Sequence, residues 1–457
     1  MQIYKLLSVQ YGERVGDYIS IADELAADIE SGRLRPGDRL LPQRDLATER
    51  GIAASTAGRV YAELVRRGLA AGEVGRGTFV RARPDSLSPE GPGDSLVNLA
   101  YNFPILPGQH ALLAESTARV LRPESMSAAI RPVTAAGNAA SRELAAAFIG
   151  RPGWRPRPAD VLFTGSGKQA IAAAIAALVP PGGRLGVEAL TYPLVQGIAA
   201  RLGVHLVPIP LDEDGLTPAG LLAAHRKSPL HGLYLQPTLH NPLGMTMPPA
   251  RRAKIAAMLM SLQICAIEDA VYAFLADEPA PLAAHAPDRT IFVDSLSKRV
   301  APGLTVGFAV VPAGLAESVA AAIASGGWTA GGFALAAATA WIADGTAESL
   351  TQSKRADAAA RQQIAAVRLA RMAVRADPVS YHCWWELPGQ WRADTFVAAA
   401  ARLGIALTPA AAFAVGPGQA PSAVRLALAS PSLPALAAAL DSLAALARST
   451  PGQALGE

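Results

Sequence analysis

The side chains best placed to do chemistry fall at three places along the chain. Lys298 stands in Ser295-Leu296-Ser297-Lys298-Arg299-Val300-Ala301-Pro302-Gly303-Leu304. A lysine amine attacks carbonyl carbon once it sheds its proton, but a lone lysine is usually a surface charge, so its companions decide. Gly165-Ser166-Gly167-Lys168-Gln169 lies between a strand-like and a helix-like stretch. There, backbone N–H groups and a helix dipole can hold a phosphate. It is not a Walker loop, because Leu162 stands where that motif requires glycine. The third place is a basic segment. Residues 31–83 carry eleven arginines against five acids, a local +6 in a chain whose net charge is +4. A basic stretch attached to a near-neutral remainder points to a polyanionic partner for that stretch alone. The seven histidines are scattered without ligand spacing, so no metal is expected. No Gly-x-Ser-x-Gly elbow is present.

The elements that must position these groups follow from periodicity. Residues 16–35 place Ile19, Ala22, Leu25, Ala26 and Ile29 on one helical face, with Gly32 and Pro36-Gly37 as the stop. A second helix is expected over about Gln43–Arg50, ending at Gly51. A third runs from about Ser55 to Arg67, with Val60 and Leu64 on one face and Glu63 and Arg67 paired at i,i+4. A turn at Gly75-Arg76-Gly77 leads into strand-like Thr78-Phe79-Val80. Residues 84–97 are rich in Pro, Gly, Ser and Asp and read as a linker. Beyond it, apolar strand candidates at 161–164, 183–190, 205–210, 232–237, 265–270 and 290–295 alternate with helices, the first two at 168–178 and 194–202. That alternation implies a largely parallel sheet with helices on both faces. From about 315 onward alanine-rich helices dominate, and residues 384–388 and 423–429 supply strands of a smaller α/β domain. The expected class is α/β in three parts: a module over 1–83, a linker over 84–97, and a body over 98–457 whose smaller subdomain spans about 315–457.

Residues 39–80, with the wing motif Gly75-Arg76-Gly77-Thr78-Phe79-Val80, resemble the GntR-family winged helix-turn-helix. The resemblance implies that the third helix enters the major groove by its N-terminal residues. Ser55 and Thr56 sit there, where short hydroxyls reach phosphates or base edges. Arg44 and Arg59 are placed for backbone or base contacts, and Arg76, flanked by Gly75 and Gly77, for a minor groove. Ala54 stands where family members often carry an arginine, which shifts readout toward Arg44, Arg59 and the wing.

The Lys298 segment is similar to the lysine segment of type I aminotransferases, above all that of the MocR subfamily, which joins GntR-type modules to this fold. The likeness implies that Lys298 carries pyridoxal 5′-phosphate (PLP). Asp269 then faces the pyridine nitrogen, Tyr272 and Asn241 bond the ring's phenolic oxygen, and Tyr192 stacks on the ring. Ser166, Gly167, Lys168, Ser295 and Ser297 hold the phosphate, and Arg425 forks an α-carboxylate. Two positions depart from the family. Thr305 replaces a phosphate-clamping arginine, for which Arg299 or Lys168 are candidate substitutes, and Pro132-Val133 offer no tyrosine for a partner subunit's phosphate.

The resemblance implies a PLP-dependent, DNA-binding regulator that senses PLP or an amino compound, working as a homodimer on an operator with paired half-sites. A catalytically active aminotransferase with an appended DNA-binding module is the alternative. A PLP-free effector-binding body draws some support from Thr305. Cys265 and Cys383 fit no disulfide or zinc spacing, and the start of the chain has no apolar run of signal-peptide length. The expected location is the cytoplasm, with no membrane partner.

Overall fold

The computed structural model describes residues 18–29, 31, 33–34, 38–67, 69–73, 77–80, 97–416 and 420–455. The N-terminal module opens with helix α1 (18–29), followed by α2 (Gln43–Arg50) and α3 (Ala54–Arg66). Strands β1 (Ala70–Glu73) and β2 (Gly77–Val80) pair antiparallel, and Arg39 bridges the outer side of β2 at Phe79. Gly51 ends α2 at φ +62°, the left-handed conformation that glycine adopts without steric cost. The core joins Ile21, Ala22, Leu25 and Ala26 of α1 to Leu46, Val60, Leu64 and Val80. Ile19 is instead 37% exposed, because the buried face of α1 runs through Ile21. Phe79 points away from this core, and the guanidinium of Arg392 in the body lies 3.5 Å from its ring centre. Gly32, Pro36, Gly37, Gly75 and Arg76 lie outside the described residues.

The body enters through β3 (Val97–Asn98). Its large sheet is built from β4 (Val161–Thr164), β5 (Arg184–Glu188), β6 (His205–Ile209), β7 (Gly232–Leu235), β8 (Cys265–Asp269), β9 (Thr290–Ser295) and β10 (Gly307–Val310). The spatial order is β4-β10-β9-β8-β7-β5-β6. Helix α4 (Gly167–Leu178) follows β4, α5 (Pro193–Arg201) follows β5, and the four-residue α6 (Leu296–Arg299) follows β9. The sheet is mixed rather than wholly parallel, since β10 runs antiparallel to both β9 and β4. A parallel strand needs a crossover of about a dozen residues, usually a helix; one short turn of helix lies between β9 and β10, so the chain folds back.

Helices α7 (Ala316–Ser325) and α8 (Gly332–Ala343) pack against the large sheet's cores through Val319, Ile323, Leu335 and Trp341. The smaller domain therefore starts later than residue 315. Its sheet comprises β11 (Ala373–Ala376), β12 (His382–Glu386), β14 (Thr408–Pro409) and β15 (Ala423–Ala427), in the order β11-β12-β15-β14. The long α9 (Thr346–Arg368) precedes it, and α10 (Ala393–Arg402) leads into β13 (Ile405–Ala406). β13 pairs in parallel with β3, so the first strand of the body belongs with the last quarter of the chain. No helix among the described residues is long and apolar enough to cross a membrane.

Candidate functional site

The site lies at the C-terminal ends of the large-sheet strands, where open α/β sheets place ligands. Asp269 closes β8 and is 3% exposed. Its Oδ2 accepts hydrogen bonds from Tyr234 Oη at 2.7 Å and Gln236 Nε2 at 2.9 Å, and its Oδ1 from the Val271 N–H at 3.1 Å. Burial lifts its carboxyl to about 6, against the pull of those three donors. Neither Tyr234 nor Gln236 stands out in the sequence. Tyr234 lies in β7, beside the strand of Asp269, and Gln236 one residue past its end, so the two fall at i and i+2, and that period-2 spacing is the signal that could have found them.

Lys298 lies on α6, one strand over. Its Nζ donates to the Asn102 carbonyl at 2.6 Å and sits 5.5 Å from the Phe103 ring centre. Burial, then the charges of Arg425 and Lys168, lower its ammonium to about 7. A second lysine holds the turn: Lys354 of α9, fully buried, donates to the carbonyls of Lys298 at 3.1 Å and Val300 at 2.5 Å. Burial and the charge of Lys298 bring Lys354 to about 7 as well.

Tyr272 Oη accepts from Asn102 Nδ2 at 3.3 Å, and its ring tilts against His382 at 5.4 Å. Asn241 Oδ1 accepts from Arg425 Nη1 at 3.2 Å. Arg425, in the middle of β15 and 6% exposed, also donates through Nη2 to the Ala100 carbonyl and to Thr408 Oγ1. Its Nε is buried without a hydrogen-bond partner among the described residues. Tyr192 caps α5 within electrostatic range of Tyr272, Asp269 and Arg425. Lys298, Asp269, Tyr272, Asn241, Tyr192 and Arg425 are therefore brought together from both domains of the body.

The glycine-rich turn meets the Lys298 segment edge to edge. A Cβ on Gly167 would lie 3.1 Å from Ser295 Oγ, and one on Gly307 would fall 2.4 Å from the Ser166 carbonyl. Ser166 Oγ accepts from the Gln169 N–H and Ser295 Oγ from the Ser297 N–H, so each hydroxyl caps its own helix and keeps a proton to donate. Ser297 and Thr305 hydroxyls pair at 2.7 Å. Of the two candidate cations, Arg299 is committed elsewhere: it pairs with buried Asp294 at 2.6 Å and lies over the rings of Phe148 and Phe274. Lys168 is exposed at the start of α4.

In the module, Ser55 and Thr56 lie in the first turn of α3, whose N-terminus has no side-chain cap and no acid in that turn. Arg44 and Ser55 are exposed. Arg59 is exposed too, its guanidinium 4.1 Å from the ring centre of Tyr18. Gly77 stands at φ +119°, a backbone conformation that side-chain-bearing residues rarely adopt, so the wing base favours glycine. Arg76 is among the undescribed residues.

Residues 94–443 match the family described as aminotransferase class I and II, and residues 17–80 match the bacterial regulatory proteins of the gntR family. The uncharacterized HTH-type transcriptional regulator YdeF of Bacillus subtilis (strain 168) is 30% identical over 91% of this chain and 90% of its own length. The HTH-type pyridoxine biosynthesis transcriptional regulator PdxR of Corynebacterium glutamicum is 25% identical over 73% of this chain and 75% of its own. Among solved structures, an archaeal alanine:glyoxylate aminotransferase superposes with a TM-score of 0.71 at 21% identity, over 85% of this chain and 95% of that one, which shows the fold.

Proposed function

Because the chain belongs to the aminotransferase class I and II family and joins that body to a gntR-type DNA-binding module, as MocR-type regulators do, we propose that it regulates transcription by holding PLP at Lys298 and responding to PLP or to an amino compound beside it. The observation that carries this reading is the meeting of Lys298, Asp269 and Arg425, a nucleophilic amine, a buried carboxylate and an under-used guanidinium, in one buried site. A relative named for pyridoxine biosynthesis supports the choice of cofactor.

The residues fit that group. PLP supplies an electrophilic carbonyl carbon and a ring that withdraws electrons when its nitrogen is protonated. Asp269 would keep the proton on that nitrogen, since a cation brought against a buried carboxylate restores its charged form. Tyr234 and Gln236 fix the direction in which the carboxylate points. Lys298, lowered to about 7, offers a substantial neutral-amine fraction at neutral pH. Tyr272 and Asn241 would donate to the phenolic oxygen and Tyr192 would cover the ring. The N–H groups at 166–168 with Ser295 and Ser297 would hold the phosphate, and Lys168 would supply the cation that Thr305 does not. Arg425 would take the carboxylate of an amino effector, using the Nε that has no hydrogen-bond partner among the described residues. A homodimer reading paired half-sites through Ser55, Thr56, Arg44, Arg59 and the wing completes the proposal.

Borohydride reduction of the PLP-loaded protein with subsequent peptide mass spectrometry tests it. The phosphopyridoxyl group is expected on Lys298; its appearance on another lysine, or on none, overturns the assignment. Steady-state transamination with a keto-acid acceptor separates regulator from enzyme, rapid turnover without any effect of amino compounds on DNA binding favouring the enzyme.

A further inference from the structure

Residues 97–103 bind both domains of the body through their own backbone. The Val97 N–H donates to the Gly404 carbonyl at 2.7 Å and the Leu99 N–H to that of Ala406 at 2.9 Å, while the Leu99 carbonyl accepts from the Ala427 N–H at 2.8 Å. Asn98 then folds the chain over: its Oδ1 accepts from the N–H groups of Ala100 at 2.9 Å and Tyr101 at 3.0 Å, an Asx turn. On that turn the Ala100 carbonyl takes Arg425 Nη2 and, at 3.1 Å, the Thr408 hydroxyl. Two residues later the Asn102 carbonyl takes Lys298 Nζ. The Asn102 side chain donates to Tyr272 Oη at 3.3 Å and accepts from the Ala429 N–H at 3.3 Å.

Carbonyls two residues apart thus grip Arg425 of the small domain and Lys298 of the large one. In the proposed regulator, these two side chains receive the effector carboxylate and the cofactor. On the basis of that function, we propose that residues 98–102 are a displaceable strap: a carboxylate at Arg425 and PLP at Lys298 each replace a strap carbonyl, so that filling the site loosens the turn that ties the two domains of the body together.

The exchange is favourable because a guanidinium bonds an anionic carboxylate roughly twice as strongly as a neutral oxygen. It is local, because the pairing of Val97 and Leu99 with β13 involves neither Lys298 nor Arg425 and persists. It is also tunable. Asn98 holds the turn without touching either side chain. If strap and ligand compete, the apparent affinity for PLP is reduced by the fraction of molecules whose strap is engaged. Loosening the turn then tightens PLP binding, whereas loosening a merely supportive loop weakens it.

The experiment uses the full-length protein titrated with PLP and monitored by absorbance. Asn98→Ala is expected to lower the dissociation constant by about three- to tenfold, the worth of one or two hydrogen bonds. Asn98→Asp keeps the acceptor oxygen and should bind PLP as the parent does. In the parent, hydrogen exchange of the 97–103 peptide should speed up on adding PLP while that of 266–272 slows. An unchanged or weaker affinity in Asn98→Ala, or slower exchange at 97–103, overturns the strap; if Asn98→Ala does not fold, the exchange measurement on the parent decides. A parent that takes up no PLP at Lys298 overturns the proposed function and the strap with it. PLP fixed at Lys298 alongside a slower-exchanging strap overturns the strap alone.

Discussion

Arg59 of the DNA-binding module rests on the ring of Tyr18 and stays exposed, and Arg50 and Arg67 are tied by ion pairs to Glu24 and to Asp23 and Glu63. In the body, Arg425, Arg361, Arg299 and Arg252 are buried, and they bond backbone carbonyls, side-chain oxygens or buried carboxylates. One residue type serves two ends. On the module it is a solvated charge whose loss the fold tolerates and whose value lies in what it meets outside. In the body it satisfies oxygens that water cannot reach, and removing it strands them.

That contrast can be broken from either side. The largest effect belongs to Arg299→Ala, which leaves the Asp294 carboxylate buried without its cation; unfolding free energy in denaturant should fall by about 3–5 kcal/mol. Next is Arg59→Ala. Operator binding should weaken by about 1–3 kcal/mol if the guanidinium reads a base, with denaturant stability close to the parent's. A substitution that unfolds the module instead would erase the contrast. Binding lost evenly across sequences, with a shallower salt dependence, would identify a phosphate contact.

A finer effect concerns pH. With Lys298 at about 7, covalent uptake of PLP should rise as pH climbs through about 7, because the neutral amine is the reacting form. Arg425→Ala removes a neighbouring cation that disfavours the ammonium, so the midpoint should move to higher pH; a profile that stays in place would separate the two groups. The smallest effect is expected at Arg67→Ala, where exposed Asp23 and partly buried Glu63 at the protein surface limit the loss of stability to about 1 kcal/mol or less, shrinking further in high salt.

Much of this architecture is legible in residue types. Gly51 marks the end of α2, the apolar runs mark the strands, and Lys298, Asp269 and Arg425 converge as their motifs imply. The features that sequence alone does not show share a physical cause. Lys298, Lys354 and Arg425 are held by backbone carbonyls of Asn102, Val300 and Ala100, and every residue carries a carbonyl, so no side chain announces the contact. The antiparallel β10 is hidden for a different reason: its direction depends on the length of a connection, not on the composition of the strand. Arg299 is motif-adjacent and positive, yet a buried carboxylate five residues earlier claims it.

The pairing of Val97–Asn98 with Ile405–Ala406 also orders events in time. A ribosome adding about 5–20 residues per second needs roughly 15–60 s to travel from the first strand of that pair to the second. During that interval the helices and wing of residues 18–80 have already emerged and can fold, while residues 97–103 await β13 and Arg425. Each newly made molecule therefore acquires its capacity to meet DNA before the body that would govern that capacity is finished.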